Sequence, residues 1–268
     1  MRPPSVDGAM PNRLQDRIAV VTGSDSGIGR ATAIEFAKEG ADVAVTYHTD
    51  EEGAEGTKQA VEEHGQRAFV SQLDQSDPED VRRLFDEVNE TLGRPTILVN
   101  NAGIDASGVP VKGMDDETWD RAMKVNLYGP FYCSREFLQG MEDTDERGDI
   151  INISSIHEDV PRAGAADYDV AKGGLRGLTR TLALELATEN VHANSIAPGM
   201  VLTPFNQSAL DDPEVREKQE QSIPVKRAAE PEEIAPAAVF LASPEADYIQ
   251  GETLTVDGAL QHYQAQGA

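Results

Sequence analysis

Cysteine is almost missing from this sequence of 268 residues: Cys133 stands alone. No disulfide can form within the chain, and a reducing compartment is expected. Cys133 itself reads as a small buried hydrophobe. Lysine is scarce, with seven against sixteen arginines. No apolar run approaches the roughly 18 residues of a membrane span. The opening MRPPSVDGAMPNRLQ has no apolar central region of the kind a secretory signal needs. Residues 1–15 are therefore expected to be a loose extension, and the protein to be soluble and cytoplasmic.

Positive charge is also in deficit. The chain carries 48 acidic and 23 basic residues, a formal charge of −25, which opposes nucleic acid and anionic membranes as partners. Acidic runs such as DEEGAE and ALDDPEVREKQE are spread over the whole chain. An interaction surface or disorder is one reading of them. Their even distribution fits better with a salt-rich cytosol, where self-repulsion is screened over about 3 Å at 1 M.

Strand-like and helix-like segments alternate. RIAVVT, DVAVTY, QRAFVSQ, TILVNN, GDIINIS, VHANSIA and ETLTVDG read as strands. Between them lie helical stretches, among them GIGRATAIEFAKEG, DPEDVRRLFDEVNETLG, a long one from Glu117 to Met141, one carrying Tyr168 to about Ala187, and EPEEIAPAAVFLAS. Several strands are unbroken apolar runs, as expected when both faces are buried. The rhythm predicts an α/β fold: a single Rossmann-type doubly wound parallel sheet of about seven strands with helices on both faces. One catalytic domain is expected over 16–268, with an irregular, lid-like region at about Gly199 to Arg227.

VVTGSDSGIGRA joins the first strand to the first helix. Gly23, Gly27 and Gly29 let the backbone turn tightly and bring amides close to a pyrophosphate at the helix N-terminus. Farther on, DYDVAKGG places Tyr168 and Lys172 four residues apart, neighbours on one helical face. A phenol of pKa about 10 is a poor acid or base at neutral pH, and a nearby ammonium favours the phenolate. By itself the pair reads at least as well as a surface tyrosine beside a solvated lysine.

The spacing G-x-x-x-G-x-G, with NNAG at Asn100 to Gly103, Asn126 in KVNLYG, Ser155 in NISS, Tyr168, Lys172 and APGMVLTP, resembles the short-chain dehydrogenase/reductase family from about Arg17 to the end. Ser155 lies 13 residues before Tyr168, as in that family. The resemblance turns the Tyr168–Lys172 pair into an expected proton-transfer device. It implies that Tyr168 passes the proton and that Lys172 lowers its pKa and bonds the nicotinamide ribose. Ser155 would hold the reacting oxygen, and Asn126 would anchor a water joining Lys172 to solvent. A plainer role for Asn126 is a hydrogen bond at a helix kink beside Pro130.

The implied cofactor is NAD or NADP, held by Gly23, Ser24, Ser26, Gly27, Ile28, Gly29, Tyr47, His48, Asp74, Asn101, Ala102, Gly103, Tyr168, Lys172, Pro198, Gly199, Val201 and Thr203. After DVAVT a carboxylate would select the ribose 2′-hydroxyl and an arginine the 2′-phosphate. Tyr47, His48 and Thr49 supply neither, so mixed use is expected. Within the family, SSIHE, YCSRE, PEEIA and the terminal YQAQGA most resemble the glucose 1-dehydrogenases. That places Asp105 and His157 near an aldose, beside Ser155 and Tyr168, although a histidine so placed also reads as a loop residue. The terminal tail reads either as a flap over the site or as an end that frays.

No metal ligand belongs to this set. The family also suggests a homotetramer. Reduction of 3-oxoacyl groups on an acyl carrier protein is an alternative that an acidic surface disfavours. A non-enzymatic dinucleotide sensor would have no need of Asn126, Ser155, Tyr168 and Lys172 together.

Overall fold

In the computed structural model, which describes residues 12–264, the apolar runs become strands β1 (Ile18–Val21), β2 (Asp42–Tyr47), β3 (Ala68–Gln72), β4 (Ile97–Asn100), β5 (Gly148–Ile153), β6 (Val191–Pro198) and β7 (Thr253–Val256). They form one 7-stranded sheet in the order β3-β2-β1-β4-β5-β6-β7. Every pairing is parallel. Strand order reverses between β1 and β4, the place where open α/β sheets bind ligands outside the carboxyl ends of their strands.

The helices are α1 (Gly27–Lys38), α2 (Glu51–Glu62), α3 (Pro78–Thr91), α4 (Asp116–Met123), α5 (Gly129–Met141), α6 (Ala166–Glu185), α7 (Gln207–Asp211), α8 (Pro213–Glu220), α9 (Ala235–Ala242) and α10 (Leu260–Gln264). Asp50 and Asp77 cap α2 and α3 by accepting the amides of Gly53 and Glu79. Alternate strand residues feed two cores. Val21, Val45, Val99 and Ile196 pack with Phe36 of α1 and Val239 of α9. Val20, Leu98 and Ile150 pack with Leu84 of α3, Phe137 of α5 and Leu182 of α6. Burial on both faces is why these strands read as unbroken apolar runs.

Three sequence expectations change. The stretch from Glu117 to Met141 is helical but not one α-helix, because Lys124–Tyr128 form a π-helical turn between α4 and α5. The region 199–227 is not irregular throughout, since α7 and α8 lie in it and Val201 bridges Ala229. Of the proposed extension, residues 1–11 lie outside the described residues, while Leu14 is fully buried and Arg13 pairs with Glu39. The packed body therefore begins before residue 15. Residues 265–268 of the terminal tail also lie outside the described residues.

Candidate active site

The carboxyl ends of β1, β2, β4, β5 and β6 surround a cleft of about 420 Å³. Its floor is the glycine turn after β1. Gly23 has φ +59°, and a Cβ on Gly29 would lie 2.2 Å from the Gly23 carbonyl oxygen. Only glycine allows the turn to close this tightly over the N-terminus of α1. Asn101 donates to the carbonyls of Thr22 and Gly23 at 2.9 and 2.8 Å, and the Thr22 hydroxyl accepts the amides of Asn101 and Ala102. The NNAG segment is thereby bolted to the glycine turn. A concave glycine turn at a helix N-terminus fits a pyrophosphate.

Of the residues expected at the cofactor, Gly23, Ser26, Gly27, Ile28, Tyr47, His48, Asn101, Ala102, Gly103, Tyr168, Lys172, Pro198, Gly199, Val201 and Thr203 line the cleft. Three do not. Ser24 is fully buried, donating to the Val21 carbonyl and accepting the Thr46 amide, so it ties β1 to β2. Gly29 is likewise buried in the helix start. Asp74 turns away to accept the amide and hydroxyl of Ser76 at 2.9 and 2.7 Å, and Leu73 takes the wall instead.

At the other end, Tyr168 and Lys172 project from α6. They are 7% and 5% exposed. Lys172 Nζ donates to the Ile153 carbonyl at 2.8 Å and lies 5.5 Å from the Tyr168 ring centroid. Burial pushes the phenol up to about 12, with Ser155 partly opposing it. Burial also pulls the ammonium down to about 8. The expected lowering of the tyrosine by its lysine is therefore not what the site holds by itself, because desolvation dominates both groups. Ser155 lines the cleft at the end of β5, and its hydroxyl accepts the His157 amide.

Asn126 sits in the π-helical turn, fully buried, and its amide group both donates to and accepts from the backbone of Ile104, at 3.0 and 2.9 Å. It fastens the loop after β4 rather than lining the cleft. His157 also stands behind the wall: Nδ1 lies 2.8 Å from the Val160 carbonyl, and the ring meets Tyr168 edge-on at 6.3 Å. Asp105 lies at the exposed rim, 3.5 Å from Arg162.

Sequence reasoning passed over Asp25, Ser154 and Phe205, which all line the cleft. Phe205 lies 6.1 Å from the Tyr168 ring. Its signal was adjacency to APGMVLTP. Burial, with Asp50 nearby, pushes the Asp25 carboxyl up. Among the described residues, no three His, Cys, Asp or Glu side chains are grouped to hold a metal ion. No helix there is long and apolar enough to cross a membrane.

Residues 22–260 match the family model described as enoyl-(acyl carrier protein) reductase. The chain is 42% identical to 3beta-hydroxysteroid dehydrogenase 1 of Eggerthella lenta over 95% of its own length and 97% of that protein. It is 38% identical to glucose 1-dehydrogenase 2 of Bacillus subtilis, covering 94% of this chain and 98% of the relative. A gluconate 5-dehydrogenase of Burkholderia cenocepacia, solved in complex with NADP and tartrate, superposes with a TM-score of 0.85 at 33% identity, over 93% of this chain and 97% of that one.

Proposed function

The chain belongs to the short-chain dehydrogenase/reductase family, as an NAD(P)-dependent oxidoreductase acting on CH–OH groups, and from that premise we propose that it oxidises an aldose at the anomeric carbon, glucose to gluconolactone. One observation carries the reading: a buried tyrosine, its lysine neighbour and a serine hydroxyl meet at one end of a glycine-floored cleft. The glycine turn and the walls around Tyr47 and Asn101 would hold NAD or NADP. When bound, the nicotinamide supplies the hydride acceptor or donor.

The chain's own residues handle the proton. Ser155 holds the reacting oxygen, and Tyr168 takes its proton in oxidation and returns it in reduction. Lys172, kept on the Ile153 carbonyl, sets a positive charge beside the phenol and lowers the cost of the phenolate. Asn126 fixes the β4 loop that forms the facing wall. Phe205 offers an apolar face against which the C–H face of a sugar packs. Asp105 at the rim and His157 behind the wall are the polar side chains proposed to read sugar hydroxyls.

Two relatives bear glucose dehydrogenase names, which supports the sugar; the hydroxysteroid relative marks how widely the family ranges. Reduction of 3-oxoacyl groups on an acyl carrier protein is the second reading; the description of the matching family model names that carrier, though with an enoyl C=C rather than a carbonyl as the group reduced. The described residues are read as one catalytic domain, whose packed body already includes Leu14. Tyr128, Phe131, Val170 and Leu184, exposed on and beside α5 and α6, support a homotetramer built on those helices. The charge of −25 supports work in a salt-rich cytoplasm. A screen of sugars, alcohols and acetoacetyl thioesters with both cofactors in molar potassium chloride tests the reading: the largest kcat/KM is expected with an aldose.

A further inference from the structure

Glu158 has no part in the chemistry above, yet its side chain is 2% exposed. It ends the short turn Ile156–Glu158 that follows Ser155. That turn swings the carboxylate back onto the strand end, where Oε2 accepts the Ser154 hydroxyl at 2.5 Å. Oε1 lies 3.5 Å from Arg176 Nε, a buried nitrogen with no hydrogen-bond partner of its own. Three consecutive residues thus serve three neighbours. The Ile153 carbonyl takes the Lys172 ammonium, the Ser154 hydroxyl takes Glu158, and the Ser155 hydroxyl lines the cleft.

From this arrangement, and resting on the proton-transfer reading of Tyr168 and Lys172, we infer that Glu158 is a positioning residue for Lys172: its carboxylate, held by Ser154 and faced by Arg176, keeps the buried ammonium charged and seated on the Ile153 carbonyl. Lys172 meets the Tyr168 ring from its own helix and the Ile153 carbonyl at the end of β5. Burial lowers its pKa to about 8, and the charge of Glu158 opposes that fall. Around Glu158 stand Arg176 of α6, Thr253 of β7, Ser154 and Asp159. Asp159 is itself paired with Arg176, so the arginine keeps a partner when Glu158 is neutralised. Burial pushes the Glu158 carboxyl up, while Ser154, Thr253 and Arg176 hold it back.

Glu158→Gln separates charge from shape, because the amide oxygen still accepts the Ser154 hydroxyl. The full chain, labelled with ¹³C at lysine Cε and with the Lys172 resonance assigned by its loss in Lys172→Arg, is titrated through the neutral and alkaline range by NMR. In Glu158→Gln the Lys172 midpoint is expected to fall by roughly one unit, and the alkaline limb of kcat/KM to move down with it. A wild-type midpoint in a folded Glu158→Gln protein overturns the inference and leaves Glu158 a packing residue. Should that variant not fold, Glu158→Asp, which draws the charge back along a shorter arm, is expected to lower the midpoint by less; an unchanged or raised midpoint there overturns it equally. The titration reads Lys172 directly, so it stands apart from any failure of Tyr168→Phe to stop turnover, which would overturn the proton-transfer reading instead.

Discussion

The Lys172 ammonium nitrogen lies 5.5 Å from the centre of the Tyr168 ring, one helical turn away, and both side chains are buried at the end of the cleft. Burial desolvates the charge that each would favour on the other. The phenol is pushed up to about 12 and the ammonium down to about 8. Their Coulomb attraction in the charged state is strong only because water is excluded, and it must offset the desolvation of both.

Tyr168→Phe keeps the ring packing against His157 and Phe205 and removes only the hydroxyl. Turnover is expected to fall by about 10²–10⁴, with dinucleotide binding, read by fluorescence titration, unchanged. A variant that keeps most of the wild-type rate takes Tyr168 out of the mechanism.

The depressed Lys172 also leaves a mark on stability. Its folded pKa of about 8 lies below the ordinary 10.5, so between those values the unfolded chain binds more protons than the folded one. Stability from this group therefore rises with pH from about 8 to about 10.5, while its cost is constant at lower pH. Lys172→Met is expected to be more stable than the wild type at neutral pH, with the difference shrinking as pH rises through this window. A Tm difference that does not change with pH would show that Lys172 is not desolvated as described.

Most of the sheet was legible in the sequence because Val20 and Val21, or Leu98 and Val99, are buried on opposite faces and so read as continuous apolar runs. The glycine turn was legible because the tight approach of Gly29 to Gly23 permits no side chain. What was missed depends on contacts distant in the chain. The π-helical turn at Asn126 is tied to the backbone of Ile104, 22 residues earlier. α8 has no buried residue, so it leaves no apolar period to read. The direction of the Tyr168 shift depends on burial by several separate segments, and the Tyr168–Lys172 spacing carries no information about it.

Tyr47 lines the cleft at the end of β2. Tyr47→Asp places a carboxylate there, able to accept bonds from ribose hydroxyls and to repel a 2′-phosphate. The ratio of NAD to NADP affinity is expected to rise, measured by titration of each reduced cofactor. An unchanged ratio would place the ribose elsewhere.

With a charge of −25, repulsion among surface carboxylates extends over about 10 Å at 0.1 M salt and about 3 Å at 1 M. Tm is expected to climb as potassium chloride rises between those concentrations. A flat or falling Tm would count against adaptation to high salt.

Oxidation of an aldose is the central claim, and its most direct measurement is kcat/KM for D-glucose beside 2-deoxyglucose, simple secondary alcohols and acetoacetyl thioester reduction in one high-salt buffer. A site that bonds hydroxyls leaves its own polar groups unpaired when a hydroxyl is missing. Glucose is therefore expected to exceed both its 2-deoxy analogue and the alcohols. Acetoacetyl thioesters reduced far faster than any sugar is oxidised would contradict the account and assign the site to acyl carbonyl reduction.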